Sequence, residues 1–374
     1  MSEPMRDTRE GRGHSESLRE QLDPKYWLFL GLANITPLAP LWLARRIAIA
    51  AGTLTWLAAG PLRRRAERNL RRIPSLAADP ARLRSATQGV FINLALNYLD
   101  FFRGRHVTYE ELSRGWRISG WDVFERAMRA GHGVIVMGAH LGPFEYAGWK
   151  MGELGCPLLT PAEHLRPERF NQLVGRLRNH HQARLLPGDD RETLRELLTS
   201  LRKGQMAMFA IDRWVMGPSD PWPLFGEPAP LPTAPFALAA RSDAPVFLLV
   251  PWRAGPGRFG GAVELITPER LASEDAPGEA GVDTGSATPR GRDREAAIAR
   301  MRERLYPLLE RYISEHPEQW VSALSPVWES SEAQSSVARR TQTGGDGAAP
   351  TQVSEQTQRE PATATRRGDQ IATQ

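Results

Sequence analysis

The residues of this chain best suited to chemistry are His140 and Glu145, which stand five positions apart directly behind the apolar run 133–139. A neutral imidazole can take a proton from a hydroxyl group, and a nearby carboxylate can fix its tautomer and stabilise the imidazolium that forms. We therefore predict that His140 is a general base and that Glu145 orients it. The alternative is an ordinary strand-end histidine that is hydrogen-bonded to the backbone.

The element that must position this pair is a short buried strand. Residues 133–139 read GVIVMGA, a run rich in β-branched residues that predicts a strand inside a sheet. Gly142 can supply the turn that follows, and Pro143 can be the first residue of a helix. Catalytic groups on open α/β sheets usually lie just past such strand ends. The predicted position of His140 therefore suits a catalytic group.

The central part of the chain alternates between helix and strand signals. We predict strands at 133–139, 206–211, 245–251 and 262–267, and helices at 80–102, 122–130, 167–182, 189–203, 233–242 and 293–315. Alternation of this kind predicts an α/β fold with a mostly parallel central sheet flanked by helices.

The N-terminal region predicts a membrane-associating element. Residues 26–44 carry no charge and residues 47–62 are again apolar, but Pro37 and Pro40 interrupt the first run. A single span needs roughly 20 apolar residues, so the prolines favour a helical hairpin or interfacial helices over a true span. A basic cluster follows, which is expected to attract anionic headgroups and to mark the cytoplasmic side. Its members are Arg63, Arg64, Arg65, Arg68, Arg71 and Arg72.

Charge and cysteine content restrict the partners. The formal net charge of +5 and the isoelectric point near 9.7 fit an anionic membrane, an acidic carrier protein or phosphate-bearing substrates, but do not distinguish these from nucleic acid. Cys156 is the single cysteine, which excludes an intramolecular disulfide and a multi-cysteine zinc site. His164, His180 and His181 have no cysteine or clear third ligand beside them, so we predict no metal site.

Several blocks of the sequence recur in the order in which they occur in a known family. They are GWDVFERA at 120–127, HLGPFE at 140–145, EHLRPE at 163–168 with Arg178, the stretch 204–213, the stretch 225–235, and HPEQW at 316–320. From about residue 26 to residue 328 the chain resembles the late acyltransferases of lipid A biosynthesis and the related phosphatidylinositol mannoside acyltransferases, within the lysophospholipid acyltransferase superfamily. It departs from them at 143–144, where many members have Asn-Trp, and at Trp214, where the mannoside enzymes tend to have an acidic residue.

The resemblance implies an O-acyltransferase at the cytoplasmic face of the cell inner membrane. The enzyme would move a fatty acyl group from a thioester, on acyl-carrier protein or acyl-coenzyme A, to a hydroxyl of a glycolipid or lysophospholipid. His140 and Glu145 would be catalytic. The implied substrate-binding residues, for which ordinary ion pairs are the alternative, are Glu163, Arg166, Arg178, Asp212 and Arg213.

The chain has no G-x-S-x-G elbow to supply a serine nucleophile. We therefore predict direct attack of the hydroxyl on the thioester, with no acyl-enzyme. We also predict no cofactor other than the donor substrate, no metal and no nucleic-acid partner.

We predict four segments along the chain. Residues 1–24 form a disordered N-terminus, 25–72 the membrane-associating helical element, 73–328 the acyltransferase catalytic domain with a mobile insertion at 270–295, and 329–374 a disordered tail.

Two other functions are consistent with parts of the sequence. A glycerol-phosphate type acyltransferase would share the histidine box, but its FPEGTRS block is missing. A catalytically inactive, membrane-bound lipid-binding scaffold would use the arginines alone, and the presence of both His140 and Glu145 argues against it.

Overall fold

The fold was analysed in a computed structural model, which describes residues 23–179, 183–188, 191–242, 244–268 and 291–329. Most of the segments predicted to be disordered or mobile, namely 1–22, 270–290 and 330–374, lie outside this part of the chain. Residues 291–295, the end of the predicted insertion, belong to the last helix.

The helices and strands of the described residues follow the predicted alternation. The helices are α1 (Pro24–Ile35), α2 (Leu41–Ala58), α3 (Gly60–Leu70), α4 (Pro74–Ala77), α5 (Pro80–Arg103), α6 (Tyr109–Arg114), α7 (Trp121–Arg129), α8 (Phe144–Met151), α9 (Glu168–Arg178), α10 (Arg191–Arg202), α11 (Ala234–Ala239) and α12 (Gly291–Glu315). The strands are β1 (Trp116–Ser119), β2 (Val134–Gly138), β3 (Leu158–Ala162), β4 (Ala183–Pro187), β5 (Met206–Ala210), β6 (Ser219–Leu224), β7 (Glu227–Pro232), β8 (Val246–Gly255) and β9 (Arg258–Leu265).

A seven-stranded sheet in the order β1-β9-β8-β2-β5-β3-β4 forms the centre of the protein. Its neighbouring strands are parallel except for the antiparallel pair β8–β9. Every residue of β2 is buried, with Ile135 and Met137 in one apolar cluster and Val134 and Val136 in another. A strand that is covered on both faces reads as a continuous apolar run. The predicted α/β fold with a mostly parallel sheet is confirmed.

The strands that the sequence missed contain prolines or lack a clear pattern. β2, β5, β8 and β9 coincide with the four predicted strands, whereas β1, β3, β4 and the β6–β7 hairpin were not predicted. Proline has no N–H for a ladder and argues against a strand in a sequence. β6 and β7 nevertheless tolerate several prolines, because they form a separate two-stranded sheet in which both strands are edges.

The N-terminal apolar region folds as two helices instead of one. The chain bends between α1 and α2, where Pro37 lies in a short 3₁₀ turn and Pro40 precedes the first residue of α2. The Nη1 group of Arg103, at the end of α5, donates to the carbonyl of Thr36 and, at 2.9 Å, to that of Ala39. The bend is therefore fastened to the end of α5.

The inner face of α2 packs closely on α5, while the outer surface of both N-terminal helices stays apolar. A Cβ atom on Gly52 would lie 2.7 Å from the Cα of Ile92, so the two helices meet with almost no side chain between them. Many of the large apolar side chains in this region face outward. They include Trp27, Leu28, Ile35, Leu38, Trp42, Ile47, Leu54 and Leu57.

The prolines of the N-terminal region favour a helical hairpin or interfacial helices over a membrane span. In the ranges that the structure describes, no helix combines the length and the apolar content that a membrane crossing requires. The single N-terminal span is therefore without support.

Asp100 and Arg253 form a buried ion pair between α5 and β8. The Nη2 atom of Arg253 lies 2.5 Å from Oδ2 of Asp100 and 2.6 Å from Oδ1 of Asn97. Only 6% of the Arg253 side chain and 8% of the Asp100 side chain are exposed. Burial raises the pKa of Asp100, and the guanidinium of Arg253 acts in the opposite direction.

We expect Asp100→Ala to lower the free energy of unfolding by about 3–5 kcal/mol, because it leaves the charge of Arg253 buried without its counterion. Urea denaturation followed by tryptophan fluorescence measures this loss. Glu110→Ala removes the exposed partner of Arg114, which lies 2.6 Å away, and is the matched control. Its loss should stay below about 1 kcal/mol. Equal losses for the two variants would contradict the assignment.

Candidate active site

The register of two central strands brings His140 and Asp212 together. β2 and β5 are parallel neighbours, with Gly138 opposite Ala210. His140 and Asp212 each stand two positions beyond these residues, so the same register sets them side by side. Nδ1 of His140 lies 2.9 Å from Oδ1 of Asp212, and the backbone N–H of His140 donates to Oδ2 at 3.1 Å.

The carboxylate that orients His140 is therefore that of Asp212, where the sequence predicted Glu145. Glu145 does lie in the first turn of α8, which begins at Phe144, one residue later than predicted. Its Oε1 atom instead accepts from Nε and Nη2 of Arg178, at 2.9 and 2.8 Å. Asp212 lies beside the imidazole because the register of β2 and β5 places it there. Glu145 lies after a turn and contacts the guanidinium of Arg178. A guanidinium is always charged and is therefore a stronger partner for a carboxylate than a neutral imidazole.

The environment of Asp212 keeps it ionised and fixes the tautomer of His140. Burial by itself would raise the pKa of this fully buried carboxyl, but the charge and hydrogen bond of His140, with hydrogen bonds from Ser322 and Trp320, lower the pKa instead. A carboxylate only accepts hydrogen bonds, so Nδ1 of His140 carries the proton. The Nε2 lone pair is then free to take a proton, and 23% of the side chain is exposed.

The segment that follows α12 completes this arrangement. Nε1 of Trp320 donates to Oδ2 of Asp212 at 2.9 Å, and Oγ of Ser322 lies 3.3 Å from Nδ1 of His140. Trp320 is fully buried. In the sequence, the HPEQW block supports only the family resemblance, and neither side chain was predicted to lie at the site. The one available signal was a tryptophan within that block, since an indole N–H in a protein interior needs an acceptor.

Backbone contacts hold the turn after β2 against the same segment. Val321 N–H donates to the carbonyl of His140 at 2.9 Å, and Gly142 N–H donates to that of Gln319 at 3.1 Å. Gly142 has φ +53°, and a Cβ on it would lie 2.6 Å from the carbonyl oxygen of Pro251. The predicted turn glycine is confirmed, and its role is to let the histidine turn pass close to β8.

The other predicted substrate-binding residues lie in loops after the sheet strands. Glu163 is half-buried between β3 and α9, and Arg166 is exposed in the same segment. Arg213 is half-buried directly after Asp212. Their role in substrate binding stays a prediction. His180 and His181 lie outside the described residues.

A double-mutant cycle tests whether Glu145 acts on Arg178 or on His140. We expect Glu145→Gln and Arg178→Gln each to lower kcat/KM by roughly 10-fold, because each breaks a hydrogen bond between charged groups. The double variant should be no worse than the poorer single variant, since the two residues act as one unit. Steady-state kinetics measure both effects. Multiplication of the two losses would show that Glu145 acts on another group, such as His140.

Arg184 and Glu196 provide the control for this cycle. They form an ion pair at 2.6 Å between β4 and α10, and the Arg184 side chain is 62% exposed. Arg184→Gln and Glu196→Gln should leave kcat/KM unchanged.

Comparison with known proteins identifies a family and two relatives. The model of the family described as bacterial lipid A biosynthesis acyltransferase matches residues 14–328. A phosphatidylinositol mannoside acyltransferase of Mycobacterium tuberculosis (strain CDC 1551 / Oshkosh) is 28% identical over 142 residues, which are 37% of this chain and 45% of the relative. The protein of the same name from strain ATCC 25618 / H37Rv is 26% identical over 162 residues, which are 42% of this chain and 51% of the relative.

The chain thus spans about half the length of the curated relatives it matches. The family match is much longer and includes β2, β5 and the segment that carries Trp320. This protein therefore belongs to the bacterial lipid A biosynthesis acyltransferase family.

Proposed function

We propose that the protein transfers a fatty acyl group from a thioester to a hydroxyl of a glycolipid at the membrane surface, with His140 as the general base. The observation that carries this proposal is the bond between Nδ1 of His140 and Asp212, 2.9 Å long, at the ends of two central strands. The bond leaves Nε2 as a proton acceptor, and a hydroxyl is the kind of acceptor group that needs such help.

The proposed reaction has two steps that balance at His140. Nε2 takes the hydroxyl proton while the oxygen attacks the thioester carbonyl, and Asp212 stabilises the imidazolium that forms. The tetrahedral oxyanion then collapses with breakage of the C–S bond. The imidazolium returns its proton to the leaving thiolate, which departs as the thiol of coenzyme A or of acyl-carrier protein. An ester is formed and the neutral imidazole is restored.

A lipid acceptor is supported by the surface of the N-terminal helices. The outward side chains of α1 and α2 include Trp42, 61% exposed, and Leu54, 64% exposed. Exposed apolar surface of this kind, followed by basic residues, favours attachment to the interface of an anionic membrane, and the basic residues favour its cytoplasmic face. The curated relatives are named for phosphatidylinositol mannoside, so a mannosylated phosphoinositide is the first acceptor to test.

The test supplies purified full-length protein with palmitoyl-coenzyme A or palmitoyl-acyl-carrier protein and with vesicles that contain either phosphatidylinositol mannoside or a lysophospholipid. Thiol release and the masses of the lipids are measured together. We expect thiol release matched by a gain of one acyl chain on the mannoside, and none with His140→Ala. Thiol release without a lipid product, or an acylated protein in intact-mass spectra, would contradict the proposal. An inactive lipid-binding scaffold would release no thiol above background.

A further inference from the structure

The basic cluster that follows α2 does not act as a single charged surface in the folded protein. Arg72 is bound to Glu227 at 2.6 Å and stacks on Trp328, with Cζ 4.3 Å from the ring centroid. Arg65 pairs with Glu329 at 3.6 Å. These two arginines fasten α3 to the rest of the chain, so their charge is already balanced by neighbouring carboxylates.

A different set of arginines surrounds a pocket of about 440 Å³ between the end of α2, α3 and the start of α5. Its basic residues are Arg63, Arg64, Arg71 and Arg84, and its one acidic residue is Glu67. Across the described ranges, no carboxylate lies within ion-pair distance of these four guanidinium groups. The pocket therefore holds an excess of positive charge that the described part of the protein does not neutralise.

Trp56 organises the guanidinium groups from two helices. Cζ of Arg63 lies 5.8 Å and Cζ of Arg84 lies 5.2 Å from the centroid of its ring. Nη1 of Arg63 also donates to the carbonyls of Trp56 and Leu57, at 3.1 and 3.3 Å. Stacking on an aromatic face and hydrogen bonds to carbonyls restrict long side chains that would otherwise be mobile. Arg63 and Arg84 are thus held in place before any ligand arrives.

Trp56, which lines the pocket, also carries an unused donor. Trp56 is 7% exposed, and its Nε1 atom is buried without a hydrogen-bond partner in the part of the chain that the structure describes. A buried N–H without an acceptor is unfavourable. An unsatisfied donor beside several guanidinium groups is the environment that an oxyanion would complete.

The surroundings indicate which kind of molecule carries that oxyanion. Leu57 lines the pocket and is 56% exposed, and Leu54, one turn earlier on α2, is 64% exposed. A molecule whose anionic group enters the pocket would therefore have apolar surface beside it for a hydrocarbon chain. Guanidinium forks match phosphate oxygens in pairs.

We propose that Arg63, Arg64, Arg71 and Arg84, arranged around Trp56, bind the phosphate of an anionic phospholipid at a site separate from His140. This lipid is not the substrate of the reaction. It fixes α3 at the membrane, and α3 in turn holds the segment after Trp320, because Nδ2 of Asn69 donates to the carbonyls of Ala323 and Ser325, both at 2.8 Å.

The chain offers a closely matched pair of variants for the test. Arg71→Gln with Arg84→Gln removes two pocket arginines. Arg68→Gln with Arg82→Gln removes two exposed arginines, one on α3 and one on α5. Neither of these arginines lines the pocket. Both double variants change the net charge equally. Any difference in vesicle binding between the two variants therefore results from the positions of the arginines and not from the net charge.

Binding is measured by co-sedimentation of the full-length protein with phosphatidylcholine vesicles, with and without phosphatidylglycerol. This measurement needs no acyl transfer, so a failure of the proposed catalytic function would not alter the result. Each basic residue near an anionic membrane contributes about five-fold to binding. We expect the pocket variant to bind anionic vesicles roughly 25-fold more weakly and neutral vesicles as before. The control variant should weaken anionic binding by clearly less than the pocket variant, because its two arginines do not line the pocket. Equal losses for both variants, or no loss for either, would overturn the proposal.

Two further measurements identify the source of the phosphate and the part played by the ring. Inorganic phosphate and free coenzyme A are added to protein bound to anionic vesicles, at a phosphate concentration equal to that of the lipid. We expect neither to displace the protein. Displacement of the unmodified protein but not of the pocket variant would assign the pocket to a soluble phosphate and reject the lipid. Trp56→Phe keeps the stacked ring and removes the donor, so it should weaken binding by less than the double arginine variant.

Discussion

His140→Ala is expected to lower the turnover of acyl transfer by ~10²–10⁴-fold, the range that general-base assistance contributes. The expected loss is this large because Nε2 is the proposed proton acceptor and Nδ1 is bound by Asp212. Alanine removes the base without adding bulk. The change should lower kcat and kcat/KM alike, since proton transfer is needed in the transition state and not for substrate binding.

The assay for His140→Ala is thiol release at saturating donor and acceptor, with thermal unfolding and vesicle binding measured on the same preparation. Both physical properties should match those of the unmodified protein. His106→Ala is the control, because His106 is an exposed histidine in a short 3₁₀ turn, and it should retain full activity. Near-normal turnover in the His140 variant would remove the base from the mechanism.

Asp212→Asn is expected to lower turnover by roughly 10²–10⁴-fold, although the side chain keeps its shape. The amide can donate a hydrogen bond to Nδ1, which moves the ring proton to Nε2 and leaves no lone pair for the hydroxyl. In Ser-His-Asp triads the same exchange lowers turnover by roughly 10⁴-fold. Glu145→Gln should lower it by only roughly 10-fold, since Glu145 holds Arg178. The reverse order of these two effects would return the orienting role to Glu145.

Asp212 should also leave a signature in the pH dependence of folding. The pKa of Asp212 in the folded protein lies below its ordinary value of 3.8. The ionised carboxylate therefore contributes stability that is fully present above the unfolded-state pKa and is lost as the pH falls through the folded-state pKa. The difference in unfolding free energy between the unmodified protein and Asp212→Asn should shrink as the pH falls below the unfolded-state pKa of Asp212. A difference that grows in acid would contradict this sign.

The partner of His140 shows why a local motif misleads about a site. Glu145 is near His140 in the sequence and was therefore the predicted partner of the imidazole, whereas Asp212 is 72 positions away from His140. In a parallel sheet, neighbouring strands are joined by long crossovers, so residues that meet at one sheet edge are far apart in the chain. Once β2 and β5 are known to be paired with Gly138 opposite Ala210, the contact between His140 and Asp212 follows.

The basic cluster gives the same lesson at the surface. Its six arginines look equivalent in the sequence, but Arg65 and Arg72 are engaged by acidic residues far away in the chain. Arg84, which no local pattern connected with them, joins the pocket because α5 packs beside α3. The sequence therefore predicts that the region is basic, and the packing of helices decides which charges remain available.

The sequence by itself determined the features that depend on short-range patterns. The apolar run of β2, the position of His140 at its end and the glycine turn after it are each encoded within a few residues, as is the alternation that defines the α/β fold. Only the tertiary structure decided the contacts between distant segments: Asp212 and Trp320 on the histidine, Arg178 on Glu145, and the strands of the proline-containing hairpin. Local patterns record which face of an element is buried, whereas partners across a fold depend on strand order, register and helix packing, which no short stretch of sequence contains.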